Sequence, residues 1–227
     1  MTPLRVASYN TRDFLDDRAA AARVVRSIAP DVLCLQEVPR RLGAPWRVSR
    51  FAAACGMRWV GRHRGSGGTT IFVADRVGLT GASHHRLTTA LLDRTRGYAV
   101  AHLGVPGWPP LTAVSLHLSL RAEERLRHAG VVLSALERLP GPIVVAGDLN
   151  ELVDGPVHRL LTAPLRMVSG GVATYPARAP RSALDVIFAS PDLVPVDGAS
   201  VALSPADVAA GSDHRPVWVD LLPATGA

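Results

Sequence analysis

The sequence predicts an α+β fold, a four-layer sandwich in which two packed, mainly antiparallel β-sheets are flanked by helices, within a single domain covering residues 1–227. Three observations predict it. Apolar runs of strand length recur along the whole chain, helical periodicity is confined to a few stretches, and several strands follow one another directly, as hairpin strands do.

In order, the strand-like runs are Leu4–Tyr9, Val32–Leu35, Arg58–Gly61, Thr70–Ala74, Tyr98–Leu103, Leu111–His117, Ile143–Gly147, Leu184–Ala189 and Val217–Leu221. Helices are expected at Arg18–Ala29, Pro45–Cys55 and Arg121–Leu139. The last places Leu126, Ala129, Leu133 and Leu136 on one face and leaves Arg121, Glu124, Arg127 and Arg138 for solvent. The runs 58–61 with 70–74 and 98–103 with 111–117 read as hairpins. Gly- and Pro-rich loops at Gly65–Gly68, Val105–Pro110, Ala177–Pro180 and Pro191–Pro195 punctuate the chain without marking a domain boundary.

Net charge is +6, and all 25 basic residues are arginine. A positive surface attracts polyanions, although scattered arginines without lysine also fit the composition of a GC-rich genome. The chain has no apolar run near the length that spans a bilayer, and Met1 leads almost at once into a strand, so a cytoplasmic location is expected. Cys34 and Cys55 lie in apolar surroundings without CxxC spacing and read as buried small hydrophobes rather than a disulfide.

Chemistry enters where polar residues end the apolar runs. Asn10 follows Tyr9, Glu37 follows Leu35-Gln36, His117 follows Leu116, Asp148 and Asn150 follow Val144–Gly147, Asp185 sits in Leu184–Ala189, and Asp213-His214 precedes Pro216–Leu221. Taken singly each fits a turn, a cap or a satisfied histidine. Together, at strand ends that converge on one edge of a sheet, they form a constellation suited to a metal or a phosphate.

The ordered set resembles the endonuclease/exonuclease/phosphatase family of DNase I-like metal-dependent phosphohydrolases. The residues that carry the resemblance are Ala7–Asn10, Asp31–Val38, Ser115–Leu118, Val145–Asn150, Leu184–Phe188 and Gly211–Val217, together spanning nearly the whole chain. The resemblance implies a two-sheet sandwich and a hydrolase of phosphate esters that uses Mg²⁺ or Mn²⁺. It implies Glu37 as first metal ligand, with Asn10 and Asp213 supporting it directly or through water, consistent with the oxygen ligands a hard cation prefers.

Within that resemblance, Asp148 orients or deprotonates the attacking water and Asn150 fixes the water or a phosphate oxygen. His214 acts as a general base or as an imidazolium donor, Asp185 holds the His214 ring, and His117 donates to a phosphate oxygen and assists the leaving group. Arg12, Arg125 and Thr174 are candidate substrate-phosphate or positioning residues, Arg125 with a structural ion pair as its equal alternative. The remaining histidines, His63, His84, His85, His102, His128 and His158, read as surface or packing residues.

Two departures bear on substrate. Arg12 and the Ser115–Leu118 block both differ from apurinic-site endonucleases; His117 resembles the DNase I, sphingomyelinase and phosphatase branches, and Arg12 near the expected metal would weaken a second metal site or clamp substrate phosphate. The leading expectation is a phosphodiesterase acting on nucleic acid through its backbone, with arginine-bearing loops at Arg62–Gly68, His84–Arg96 and Pro176–Arg181 as a polyanion track. The alternatives are a sphingomyelinase-like phospholipid hydrolase, an inositol or sugar phosphate phosphohydrolase, and a catalytically silent polyanion-binding protein of the same fold. No protein partner is implied, and no G-x-S-x-G elbow supports a serine esterase.

Overall fold

Period-two alternation in the strands decides which side chains meet between the layers. The computed structural model describes residues 1–61, 65–90 and 93–224. One sheet contains, in spatial order, β11 (Leu193–Val196), β12 (Val217–Pro223), β1 (Leu4–Asn10), β2 (Val32–Gln36), β4 (Thr70–Val73) and β3 (Arg58–Trp59). The other runs β5 (Gly78–Leu87), β6 (Arg96–Gly104), β7 (Leu111–His117), β8 (Ile143–Asp148), β10 (Asp185–Ala189) and β9 (Arg166–Met167). Each sheet is antiparallel except for one central parallel pair, β1 with β2 and β7 with β8.

Each parallel pair needs a crossover, supplied by α1 (Arg18–Ile28) and α3 (Ala122–Leu136) respectively. α1 and α2 (Ala44–Cys55) cover the outer face of the first sheet through Val24, Val25, Ile28, Val48 and Phe51. α3 and α4 (Pro156–Thr162) cover the second through Ala129, Val132, Leu136, Val157 and Leu161. Between the sheets Val6, Val32, Ile71, Ala101, Val144 and Ile187 form the central layer. Each such buried Val or Ile contributes about 1.5–3 kcal/mol. The four-layer sandwich is therefore as the element order predicts, and both hairpins form, Trp59 opposite Phe72 and Val100 opposite Val114.

The inter-sheet face changes character along the strands. In β1, β2, β7, β8 and β10 the apolar inner positions give way at one end to Ser8 and Asn10, Gln36, Ser115 and His117, Asp148, and Asp185, all buried. Burying polar groups costs free energy unless they are bonded, and these bond across the layer. Gln36 donates to Ser115 Oγ at 3.2 Å, and Ser115 donates to the Leu35 carbonyl at 3.0 Å.

Several elements escape the expectations. β5 is a mostly exposed edge strand, Gly-Leu-Thr-Gly-Ala-Ser-His-His-Arg-Leu, with no apolar alternation and a register shift between Leu79 and Gly81. It turns the first part of the expected His84–Arg96 loop into strand, while 62–64 and 91–92 of the expected polyanion loops lie outside the described residues. The Pro191–Pro195 loop contains most of edge strand β11, where Pro195 is tolerated. The short α4 and α5 (Pro205–Gly211) each begin on a proline.

The face expected for α3 is also corrected. Leu126 is exposed, whereas Glu124 and His128 are buried. The cause is the segment 88–90 packed over the helix. Glu124 accepts from the Ala90 N–H at 2.6 Å and from Ser119 Oγ at 2.7 Å, and His128 Nε2 lies 2.8 Å from the Thr88 carbonyl. Cys34 and Cys55 are free and buried. Among the described residues no helix is long and apolar enough to cross a membrane.

Candidate active site

Strand register assembles the polar end of the sandwich. His117 is paired with Asp148 across the parallel β7–β8 ladder, and Asp148 with Asp185 across the antiparallel β8–β10 ladder, so the three stand abreast. From the opposite sheet Asn10 Nδ2 donates to Asp148 Oδ2 at 2.9 Å, bridging the two sheets. The same oxygen lies 3.4 Å from His117 Nε2 and 3.9 Å from His214 Nε2. Asp148 Oδ1 accepts the Asn150 backbone N–H at 2.9 Å, an Asx turn that explains the two-residue spacing of the motif.

His214 comes from the segment before β12. Ser212 anchors that segment: its hydroxyl donates to the Asn10 carbonyl at 2.7 Å and accepts the His214 N–H at 3.3 Å. His214 Nδ1 then meets Asp185 Oδ2 at 2.8 Å. Thr174 supports Asp185 from behind, its Oγ1 accepting the Leu184 and Asp185 N–H groups at 3.2 and 3.3 Å.

Glu37 and Asn150 occupy left-handed backbone conformations, φ 51° and 52°. For glutamate this costs roughly 1–2 kcal/mol, and such strain clusters at functional sites. Glu37 Oε1 lies 3.8 Å from His117 Nε2, and its Oε2 accepts from Arg94 Nη1 at 3.3 Å. Arg12 Nε lies 3.3 Å from Asp213 Oδ2, and the Arg12 backbone N–H donates to Asn10 Oδ1 at 3.0 Å.

Burial and environment set the protonation states. Burial, reinforced by the Asp185 charge, raises the Asp148 carboxyl to about 6. Burial acts to lower His214, but the charge and hydrogen bond of Asp185 and the charges of Asp148 and Asp213 outweigh it and raise the imidazole to about 9. His117 is held well below 6.5, first by burial and then by the Arg96 guanidinium. Between those two values the site carries an Asp148 carboxylate and a His214 imidazolium beside a neutral His117.

By donor chemistry alone, Glu37, Asp213 and Asn10 are of the type a hard divalent cation takes. Both carboxylates already draw positive charge, from Arg94 and Arg12. Asp148, Asp185 and His214 also bring one ligand atom each within 4.8 Å of one another. In that group Asp185 and His214 bond to each other and Asp148 to Asn10.

Of the sequence candidates, Asn10, Glu37, His117, Asp148, Asn150, Asp185 and His214 converge, with Asp213 and Arg12 at their edge. Arg125 has the structural role that its position left open. It pairs with Glu151 at 3.3 Å and donates to the Ser119 and Leu120 carbonyls, while Glu151 caps the start of α4 through the Val157 N–H.

Sequence reasoning missed Arg94, Arg96 and Tyr175. Tyr175 packs against the His214 ring, with centroids 4.9 Å apart. Arg96 opens β6, and because β6 runs antiparallel to β7 its site end is its beginning. A search for polar residues at the ends of apolar runs finds it only when the beginnings are searched too. A separate apolar cavity of about 400 Å³, lined by Val172, Thr174, Leu203, Val208, Arg215 and Trp218 among others, contains none of the acids or imidazoles of the site.

Acids, amides and imidazoles thus gather at one end of a two-sheet sandwich, where the sheets meet. The chain belongs to the Endonuclease/Exonuclease/phosphatase family, whose sequence model matches residues 7–214. Members of this family are generally dependent on divalent metals. No curated protein matches the sequence.

Solved structures share the fold. A functionally unknown conserved protein from Enterococcus faecalis superposes with a TM-score of 0.82 at 18% identity, covering 97% of this chain and 100% of that one. The catalytic domain of human Nocturnin with bound sulfate gives 0.76 at 19% identity, covering 98% and 95%. A mannosyl-6-phosphatase from Bacteroides thetaiotaomicron gives 0.76 at 19% identity, covering 96% and 99%. At these identities the likeness is one of fold.

Proposed function

We propose that the protein is a Mg²⁺- or Mn²⁺-dependent phosphodiesterase that hydrolyses nucleic acid. The carrying observation is Asp148 Oδ2, a buried carboxylate oxygen with Asn10 Nδ2 at 2.9 Å, His117 Nε2 at 3.4 Å and His214 Nε2 at 3.9 Å, beside Glu37. In this reading Asp148 takes the proton of the attacking water, its raised pKa making it a better base than a solvated carboxylate. Asn150 holds the water or a phosphate oxygen. The His214 imidazolium, kept charged by Asp185, and the neutral His117 donate to phosphate oxygens as charge builds on them.

Glu37, Asn10 and Asp213 would hold the cation, which supplies electrostatic stabilisation of the phosphoryl oxygens when bound. Thr174 positions Asp185. In this reading Arg12 and Arg94, both exposed and now paired with carboxylates, would meet further phosphates. That placement, with the net charge of +6, favours a polyanionic substrate. A small phosphomonoester is the second reading, suggested by a fold neighbour described as a mannosyl-6-phosphatase, with 96% of this chain and 99% of that one covered.

The test is a substrate panel with Mg²⁺, Mn²⁺ or EDTA, covering plasmid DNA, RNA, bis-p-nitrophenyl phosphate, sphingomyelin, inositol phosphates and mannose 6-phosphate. Hydrolysis of DNA or RNA that stops in EDTA and returns with Mg²⁺ or Mn²⁺ is the expected result. Turnover of phosphomonoesters alone overturns the nuclease reading, and activity that survives EDTA overturns the metal. Polynucleotide binding without turnover of anything would instead describe a silent protein of the same fold.

A further inference from the structure

Arg96 is among the most buried basic side chains of the protein, 6% exposed, and it faces a histidine. Its Nη1 lies 3.1 Å from Nδ1 of His117, itself 1% exposed. Among the described residues no carboxylate comes within salt-bridge distance of the Arg96 guanidinium. The backbone around it is tight, because a Cβ on Gly67 would meet the Arg96 carbonyl carbon at 2.6 Å. The strand is thus closely packed where Arg96 leaves it, and the guanidinium contacts the imidazole at Nδ1.

The hydrogen-bond inventory of the ring is over-determined. A guanidinium only donates, so the contact requires a lone pair on Nδ1. On the other side, Asn150 Nδ2 lies 3.1 Å from His117 Nε2 and 3.0 Å from the Leu118 carbonyl. The Leu118 carbonyl identifies that atom as the amide nitrogen, which therefore offers a second N–H to Nε2. A neutral imidazole cannot accept at both nitrogens. One donor must give way, and the charged one makes the stronger bond.

We propose that Arg96 is a positioning residue that sets the tautomer of His117, fixing its proton on Nε2 and so directing an N–H into the gap between Asp148 Oδ2 and Glu37 Oε1. This rests on the phosphohydrolase reading above for its catalytic meaning, but not for its structural content. With Arg96 in place, His117 presents a fixed donor to whatever anion enters the site. Without it, Asn150 is the remaining donor, the lone pair moves to Nε2, and the proton moves to Nδ1 at the far side of the ring. One substitution then turns the ring from donor to acceptor at the reacting end.

The test uses histidine-¹⁵N-labelled protein in EDTA, with two-bond ¹H–¹⁵N correlations of the ring assigned to His117 by the loss of its signals in H117Q. The expected result is the Nε2–H pattern in the wild type and in R96K, and the Nδ1–H pattern in R96M. On the substrate found active, R96M is expected to lose roughly 10²-fold or more in kcat with KM changed far less, and R96K to recover most of it. A wild-type Nδ1–H pattern overturns the proposal, as does an Nε2–H pattern that persists in R96M. Should R96M not fold, the same comparison is made with R96L, which likewise has no donor. Absence of turnover in the wild type on every phosphate ester sinks the functional reading and leaves the tautomer measurement standing.

Discussion

Asp185 Oδ2 lies 2.8 Å from His214 Nδ1, while the other oxygen of that carboxylate, Oδ1, is buried without a hydrogen-bond partner among the described residues. A carboxylate so poorly satisfied elsewhere needs the imidazolium it faces. Hence His214 is expected to titrate near 9 in the metal-free protein, and in D185N to fall steeply, because burial remains while the countercharge is gone. Since the folded-state pKa lies above the unfolded one, this pair stabilises the protein fully below about 6.5 and loses that stabilisation as pH rises through about 9. Thermal unfolding in EDTA at pH 7 and pH 10 checks the sign: the wild type should lose more between them than D185N.

The same values give a kinetic prediction. If Asp148 is the base and the His214 imidazolium a donor, kcat/KM rises as pH increases through about 6 and falls as it passes about 9. A rate that keeps climbing through pH 9 would instead assign the base to His214.

Glu37 projects from a strained left-handed residue at the end of β2. Glu37→Gln keeps the shape and removes the charge, so Mn²⁺ affinity measured by calorimetry should fall by at least about tenfold. The fold should remain intact by circular dichroism. Unchanged Mn²⁺ affinity would remove Glu37 from the ligand set.

Arg94 bridges Asp13 and Glu37 from an exposed position. Arg94→Ala is expected to raise KM for a polynucleotide and flatten its salt dependence, a single phosphate contact being worth about 0.7–0.9 in the log–log slope. Turnover of bis-p-nitrophenyl phosphate should change much less. An equal effect on both substrates speaks against an extended backbone track.

Glu124 holds the Ala90 N–H and the Ser119 hydroxyl against α3. Glu124→Ala strands those donors and should cost about 1–3 kcal/mol in urea unfolding. Glu124→Gln retains an acceptor and should cost less.

The sandwich and most of the acid and imidazole positions were legible in the sequence because both depend on local pattern. β-branched runs mark the inner strands, and polar residues at their ends mark the site. What escaped depends on tertiary context. β5 has no buried face of its own to impose alternation, and Glu124 is buried only because a distant segment folds over it. The role of Arg125 is fixed by Glu151, which is 26 residues away. Gly147 stands in the block that carries the family resemblance, yet a Cβ there would lie 2.0 Å from the Leu116 carbonyl oxygen, so glycine is needed for β7 and β8 to approach.

The bond from Asn10 to Asp148 joins residues 138 positions apart, one from each sheet. Neither half of the chain holds a complete site. During synthesis the first sheet can gather Asn10 and Glu37, but the acid they serve arrives only when the second sheet docks and the last strand returns Ser212 to Asn10. Under the proposed function, a chain that has not yet brought these distant segments together would have no complete site with which to act.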